Sequence, residues 1–254
     1  MERLQDKVAV ITGGAGGIGR AAGTLFAAEG ASVLLVDLDE TALKEAVAAA
    51  GSNRVSYFVG DVTRAADNEA MIRTAAERYG GVDVLLANAG IEGDVANITD
   101  YDEARFDQVL NVNVKGVFLG LKSAIPALQA RGGGSIVITS SVAGVKGAPG
   151  VSAYVTSKHA VIGLMRSAAR ECAPLNIRVN TVNPSPVETR MMRSLEEGML
   201  PGSASAAKEA ITSGIPMNRY GTPEEIARVM LFLASDDSVW VTGSVYMADG
   251  GNTS

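Results

Sequence analysis

Thr12-Gly13-Gly14-Ala15-Gly16-Gly17-Ile18-Gly19 follows a short apolar run at residues 7–11 and opens a segment of helical spacing at 17–29. A strand that turns through glycines into a helix lets the backbone approach a ligand closely. The helix start adds unpaired N–H groups and the positive end of a dipole. The turn therefore predicts a dinucleotide pyrophosphate seated on Gly13, Gly17, Ile18 and Gly19. Glycines also close tight turns where no ligand is present, so the motif alone leaves both readings open.

Working outward, the second apolar run, 32–36, ends at Asp37, about 20 residues beyond the glycines, where a carboxylate can accept hydrogen bonds from both adenosine ribose hydroxyls. It would meet a 2'-phosphate as a like charge, and neither Gly16 nor Leu38 offers a basic residue to greet one. NAD(H) is the expected cofactor rather than NADP(H). The competing reading has Asp37 merely capping the following turn.

Further apolar runs at 55–59, 82–87, 135–139, 178–182 and 244–247 alternate with helical spacing at 40–50, 64–79, 101–129, 153–172 and 223–234. Short β-rich runs alternating with amphipathic segments predict an α/β chain: a doubly wound Rossmann-type fold with a seven-stranded parallel sheet flanked by helices on both faces. Thr222 before Pro223, Glu224 and Glu225 reads as an N-cap, a proline at the first helical position and acids in the positive first turn. No repeat, charge block or linker divides the chain, so one domain over 1–254 is expected. Residues 185–214 break the rhythm with Pro, Gly, Ser and Met; they read equally as a substrate lid or as a surface excursion with two short helices.

The balance of 22 basic and 28 acidic residues, without a basic cluster, argues against nucleic acid or an anionic membrane as partner. Cys172 is the single cysteine and His159 the single histidine; neither has metal-ligand spacing, so no metal is expected, and a reducing, cytoplasmic setting suits the chain. The first residues lack the features of a signal peptide, and no apolar stretch approaches the roughly 18 residues that span a bilayer.

Thr12-Gly13-x-x-x-Gly17-x-Gly19, Asp61-Val62, Asn88-Ala89-Gly90, Asn113-Val114-Lys115-Gly116, Ser141, Tyr154-x-x-x-Lys158, Asn183-Pro184 and Asp249-Gly250-Gly251 together resemble the single-domain branch of the short-chain dehydrogenase/reductase family, over nearly the entire chain. The resemblance implies that Asp61 and Val62 hold the adenine, and that Asn88, Ala89 and Gly90 lie beside the cofactor while bracing the sheet. It also implies that Pro184, Val187 and Thr189 contact the dinucleotide. Ser185 stands where the family usually has Gly, which weakens that last expectation if the backbone there needs a glycine conformation. Ala87 replaces a common Asn, a minor departure.

Tyr154 and Lys158 are four apart and so share a helix face. A free tyrosine, with a reference pKa of about 10, is a poor base at neutral pH, and bringing it near 7 takes about 4 kcal/mol. An ammonium about 4 Å away at an effective dielectric near 20 supplies roughly that amount. In the family the lysine also binds the nicotinamide ribose hydroxyls, so Tyr154 and Lys158 count among the cofactor contacts as well as the catalytic groups. Ser141 is expected to polarise the substrate oxygen, with adjacent Ser140 as its rival. Asn113, by resemblance, interrupts its helix and anchors water in a proton relay toward the lysine; Asn111 is its rival. His159 is expected to be structural.

The resulting expectation is an NAD-dependent oxidoreductase that interconverts a secondary alcohol and a ketone. Its alternatives are a 3-oxoacyl thioester reductase and a non-catalytic NAD(H)-sensing binding protein. Related enzymes are commonly homotetramers, which the sequence permits. The pocket walls are expected from 91–97, 143–151 and 185–214.

Overall fold

The computed structural model describes residues 2–254. Seven strands, β1 (Val8–Thr12), β2 (Ser32–Asp37), β3 (Val55–Val59), β4 (Val84–Ala87), β5 (Gly134–Thr139), β6 (Ile177–Pro184) and β7 (Val245–Ala248), form one sheet in the order β3-β2-β1-β4-β5-β6-β7. Every neighbouring pair is parallel. A parallel sheet covered on both faces needs strands that are apolar throughout, which explains why β1 reads as a continuous run. Val8 and Val10 enter one buried cluster with Met71, Leu128 and Met165, while Ala9 and Ile11 enter another with Phe26, Leu35 and Met230.

The helices are α1 (Gly17–Ala28), α2 (Glu40–Ala50), α3 (Ala65–Tyr79), α4 (Glu103–Leu110), α5 (Gly116–Ala130), α6 (Ser152–Cys172), α7 (Arg190–Met199), α8 (Ala204–Ser213) and α9 (Pro223–Ala234). Helices α1 and α9 pack against each other over one face, and α3, α5 and α6 cover the other. The start of α9 carries the expected N-cap and completes it as a capping box: Glu225 N donates to Thr222 Oγ1 at 3.3 Å and Thr222 N donates to Glu225 Oε2 at 2.8 Å.

One expectation changes, and one open reading gains its two short helices. The single helix expected at 101–129 is α4 and α5 joined by a π-helical segment, Asn111–Lys115; helical periodicity cannot distinguish one wider turn inside a continuous helix. Residues 185–214 contain two short helices, α7 and α8. Because β1 and β4 are neighbours while the chain winds outward from each, the crevice at their carboxyl ends is the switch point where α/β sheets place ligands.

Candidate active site

The Gly-rich turn lies at that crevice. Gly13 has φ +66°, and a methyl placed on it would sit 2.9 Å from Ala89 Cα; one placed on Gly19 would collide with the Gly13 carbonyl oxygen. The turn thus packs backbone on backbone. The α1 N-cap, Gly16, supplies no side-chain cap, and the first turn carries no acid. Among the described residues no acceptor takes the N–H groups of Gly17 and Ile18. An uncapped, acid-free helix start of this kind suits a pyrophosphate.

Asp37 ends β2 with both carboxylate oxygens in use: Oδ2 accepts from Ala15 N at 3.1 Å and Oδ1 from Leu38 N at 2.8 Å. It ties the Gly-rich turn to the strand end as well as capping its own turn. A cation that sequence reasoning missed, Arg20, reaches the same turn. Its guanidinium is committed to Ala15 O at 2.7 Å, Ala42 O at 3.0 Å and Glu45 at 3.4 Å.

Asp61 Oδ1 accepts from both the N–H and the hydroxyl of Thr63 at 2.8 Å, shaping the loop after β3. The Val62 carbonyl accepts from Asn68 Nδ2 at 2.8 Å. Asn68, buried on α3, is a second missed residue; its signal was an amide on the otherwise apolar face of a helix. Asn88 donates to Thr12 O at 3.1 Å and accepts from the Thr139 hydroxyl at 3.0 Å, while the Thr12 hydroxyl accepts from the N–H groups of Asn88 and Ala89. These bonds stitch together the tips of β1, β4 and β5. A methyl placed on Gly90 would lie 3.3 Å from Asn113 Oδ1 and 3.5 Å from Lys158 Nζ, so the end of this motif borders α6.

Tyr154 and Lys158 share one face of α6, with Nζ 5.4 Å from the Tyr154 ring centroid. Nζ donates to Thr139 O at 2.8 Å at the end of β5. The two serines past β5 divide their work. The Ser140 hydroxyl turns into α6 and donates to Lys158 O at 2.9 Å, whereas Ser141 lies beside the Tyr154 phenol and favours its ionised form. Ser141 Oγ also accepts from Ala143 N at 3.1 Å, and the Asn183 amide donates to Ser141 O at 2.8 Å. Ser141 is therefore both a turn residue and a member of the cluster.

Burial sets the charges here, contrary to the Coulomb estimate from spacing alone. Desolvation pushes Tyr154 up to about 12, against the Ser141 contact and with help from the Glu92 charge; desolvation also pulls Lys158 down to about 8. The cost of removing each group from water outweighs the attraction between them. Lowering a phenol from about 12 to 7 takes about 7 kcal/mol, more than an ammonium about 5 Å away supplies at an effective dielectric near 20.

Asn113, in the π segment, holds the chain after Gly90 on both sides: Oδ1 accepts from Ile91 N at 2.8 Å, and Nδ2 donates to Ile91 O and to the Ser157 hydroxyl, each at 2.9 Å. The Ser157 hydroxyl donates in turn to Tyr154 O at 2.8 Å. The amide's two donors are therefore filled by protein groups, which makes its side chain a brace between the Ile91 loop and α6. His159 is exposed, with Nδ1 2.9 Å from Val155 O, away from the cluster.

At the end of β6, Ser185 does not adopt positive φ, so the backbone here makes no demand for glycine. Pro184 O accepts from the Ser141 hydroxyl at 3.4 Å. The Val187 side chain is buried in the core with Ile226, leaving only its backbone to meet a ligand. The Thr189 methyl carbon lies 3.1 Å from a methyl placed on Gly17, which brings the start of α7 against the start of α1.

A glycine turn, a carboxylate at the end of the second strand and a Tyr-Lys-Ser cluster at one switch point are the features shared by dinucleotide-binding oxidoreductases. The chain belongs to the short-chain dehydrogenase/reductase family. A family model described as Enoyl-(Acyl carrier protein) reductase matches residues 13–253. The 3-oxoacyl-(acyl-carrier-protein) reductase FabG of Thermotoga maritima is 43% identical, with 98% of each chain covered. Cyclohexanol dehydrogenase of Acinetobacter sp. is 35% identical over 99% of this chain and 97% of its own. The crystal structure of levodione reductase superposes with a TM-score of 0.96 at 38% identity, covering 98% of each chain. The protein is an oxidoreductase of this family, and no described helix is long and apolar enough to cross a membrane.

Proposed function

We propose that the protein is an NAD(H)-dependent dehydrogenase/reductase that interconverts a small secondary alcohol and its ketone. The observation that carries this reading is the meeting of Tyr154, Lys158 and Ser141 beside the Gly-rich turn. The dinucleotide, when bound, supplies the hydride donor or acceptor. Gly13, Gly17, Ile18 and Gly19 seat its pyrophosphate, Asp37 its adenosine ribose, Asp61 and Val62 its adenine, and Asn88, Ala89 and Gly90 line the crevice between. Lys158 binds the nicotinamide ribose, and the backbone of Pro184, Val187 and Thr189 flanks the nicotinamide end.

Ser141 donates to the substrate oxygen, and Tyr154 moves the proton at that oxygen. With its pKa at about 12, the Tyr154 phenol is held protonated at neutral pH, ready to give its proton to a ketone oxygen as it is reduced. Acting as base on an alcohol, it needs the positive charge of Lys158 and of the oxidised ring to offset burial. Asn113 holds the Ile91 loop and α6 in register and takes its place in the proton path toward Lys158. The 185–214 segment closes over the substrate, within one domain spanning 1–254. A homotetramer in the cytoplasm is the assembly and setting that the family and the lone buried cysteine favour.

Tyr154→Phe should retain NADH binding and lose about 100-fold or more in turnover, the usual scale for a proton-transfer group; full activity in that variant would refute the assignment. The name of the Thermotoga relative supports a second reading, reduction of a 3-oxoacyl thioester. Comparing acetoacetyl thioester reduction using NADPH with oxidation of secondary alcohols using NAD separates the two. Asp37 favours the second of those pairs.

A further inference from the structure

Three carboxylates are buried, and two have cations: Asp83 pairs with Arg131 at 3.1 Å and Glu196 with Arg193 at 3.0 Å. The third, Glu92, is only 9% exposed, yet among the described residues it accepts no hydrogen bond and makes no ion pair. Its oxygens are not sealed from solvent, unlike Glu196 Oε1, so a buried stem delivers an open carboxylate. Such a carboxylate has its acceptor sites free for a donor that enters beside it.

The loop that carries Glu92 borders the Tyr154/Lys158 cluster, since a methyl on Gly90 would lie 3.5 Å from Lys158 Nζ. The preceding residue, Ile91, is clamped by Asn113 through both its N–H and its carbonyl. Beyond Glu92, Val95 packs between the lid and the approach to α6: a methyl on Gly198 would lie 2.8 Å from Val95 Cγ2, and one on Gly150 3.3 Å from Val95 Cγ1. Ala96 N donates to Gly150 O at 2.8 Å. The loop is thus pinned at Ile91 by Asn113 and at Val95 and Ala96 against Gly150 and the Gly198 turn of α7. The Glu92 charge reaches Tyr154, opposing ionisation of the phenol.

We propose that Glu92 is a substrate-recognising residue whose carboxylate accepts a hydrogen bond from a second donor on the substrate, a hydroxyl or ammonium near the reacting carbinol. The preferred substrates are then diols or amino alcohols, ahead of monofunctional alcohols and of anionic acyl groups. This rests on the alcohol dehydrogenase reading above. Once bound substrate shuts water out, an analogue lacking the donor leaves the carboxylate unpaired and is discriminated against, and an anion is repelled.

The test measures NAD reduction with cyclohexanol, 1,2-cyclohexanediol and 2-aminocyclohexanol, in the wild type and in Glu92→Gln and Glu92→Asp. In the wild type, kcat/KM for at least one two-donor substrate should exceed that for cyclohexanol by about tenfold or more, and the arm that wins identifies the donor. Glu92→Gln should shrink that ratio about tenfold, mainly through KM, and shift the basic limb of the pH profile to lower pH. Glu92→Asp, which keeps the charge, should retain the wild-type limb. A ratio unchanged within twofold in Glu92→Gln, or a pH limb that moves equally in both variants, overturns the proposal. Turnover of all three alcohols without a two-donor preference overturns it while leaving the dehydrogenase reading intact. No turnover of any of them, with thioester reduction present, overturns both.

Discussion

Lys158→Met should make the dinucleotide-free protein more stable while abolishing its function. Lys158 is 4% exposed, and burial lowers its pKa from 10.5 to about 8. Between these values the unfolded chain binds a proton that the folded chain does not, so stability rises with pH across that window; below about pH 8 the full cost of the buried charge is present. The shift corresponds to about 3 kcal/mol. Methionine fills a similar volume without charge, but it abandons the 2.8 Å hydrogen bond to Thr139 O, a loss of about 1 kcal/mol. The net gain at pH 7 is about 2 kcal/mol, or roughly 5 °C in Tm for a chain of this size. The gain should shrink above pH 8 and vanish at about pH 10, where burial no longer confines a charge. Scanning calorimetry of both proteins at pH 7, 8.5 and 10, freed of dinucleotide, measures this. A variant that is less stable at pH 7, or a Tm difference that is the same at all three pH values, would refute the desolvation account.

Asp37→Ser should lower the kcat/KM preference for NAD over NADP by about tenfold, equivalent to about 1.4 kcal/mol of like-charge repulsion. It should also weaken both dinucleotides, because the Ala15 N–H loses its acceptor; equal use of both cofactors by the wild type would contradict the premise. Glu225→Ala removes half of the α9 capping box and the ion pair with Arg219, and should cost about 1 kcal/mol at pH 7 by denaturant melts. Arg219, then the Thr222 N–H, holds the Glu225 carboxyl at about 2. This contribution is present above the ordinary carboxylate range and lost as pH falls toward 2, so wild type and variant should converge in acid.

The element order, the Gly-rich turn, the Thr222 N-cap and the Tyr154/Lys158 face were legible in the sequence because each depends on residues within a turn or two of one another. Strand and helix periods, a cap three residues from its partner and an i, i+4 pair are local geometry. The choice of Ser141 over Ser140 came from family resemblance and not from local geometry: adjacent residues face opposite ways, and the docking of α6 on β5 turns Ser140 into α6 and Ser141 toward Tyr154. Nor was the geometry at Ser185, where absence of a positive φ removes the need for glycine. The π turn that lets Asn113 brace the Ile91 loop interrupts a helical pattern whose composition hardly changes. Glu92 carried no motif at all, since an acid in a loop looks solvated until the fold buries it. Sequence by itself thus determined which reactive groups exist and in what order they arrive at the sheet's edge. Tertiary structure decided their electrostatics, because desolvation depends on every chain segment packed around a group, and at Tyr154 and Lys158 that effect outweighs the attraction their spacing suggests.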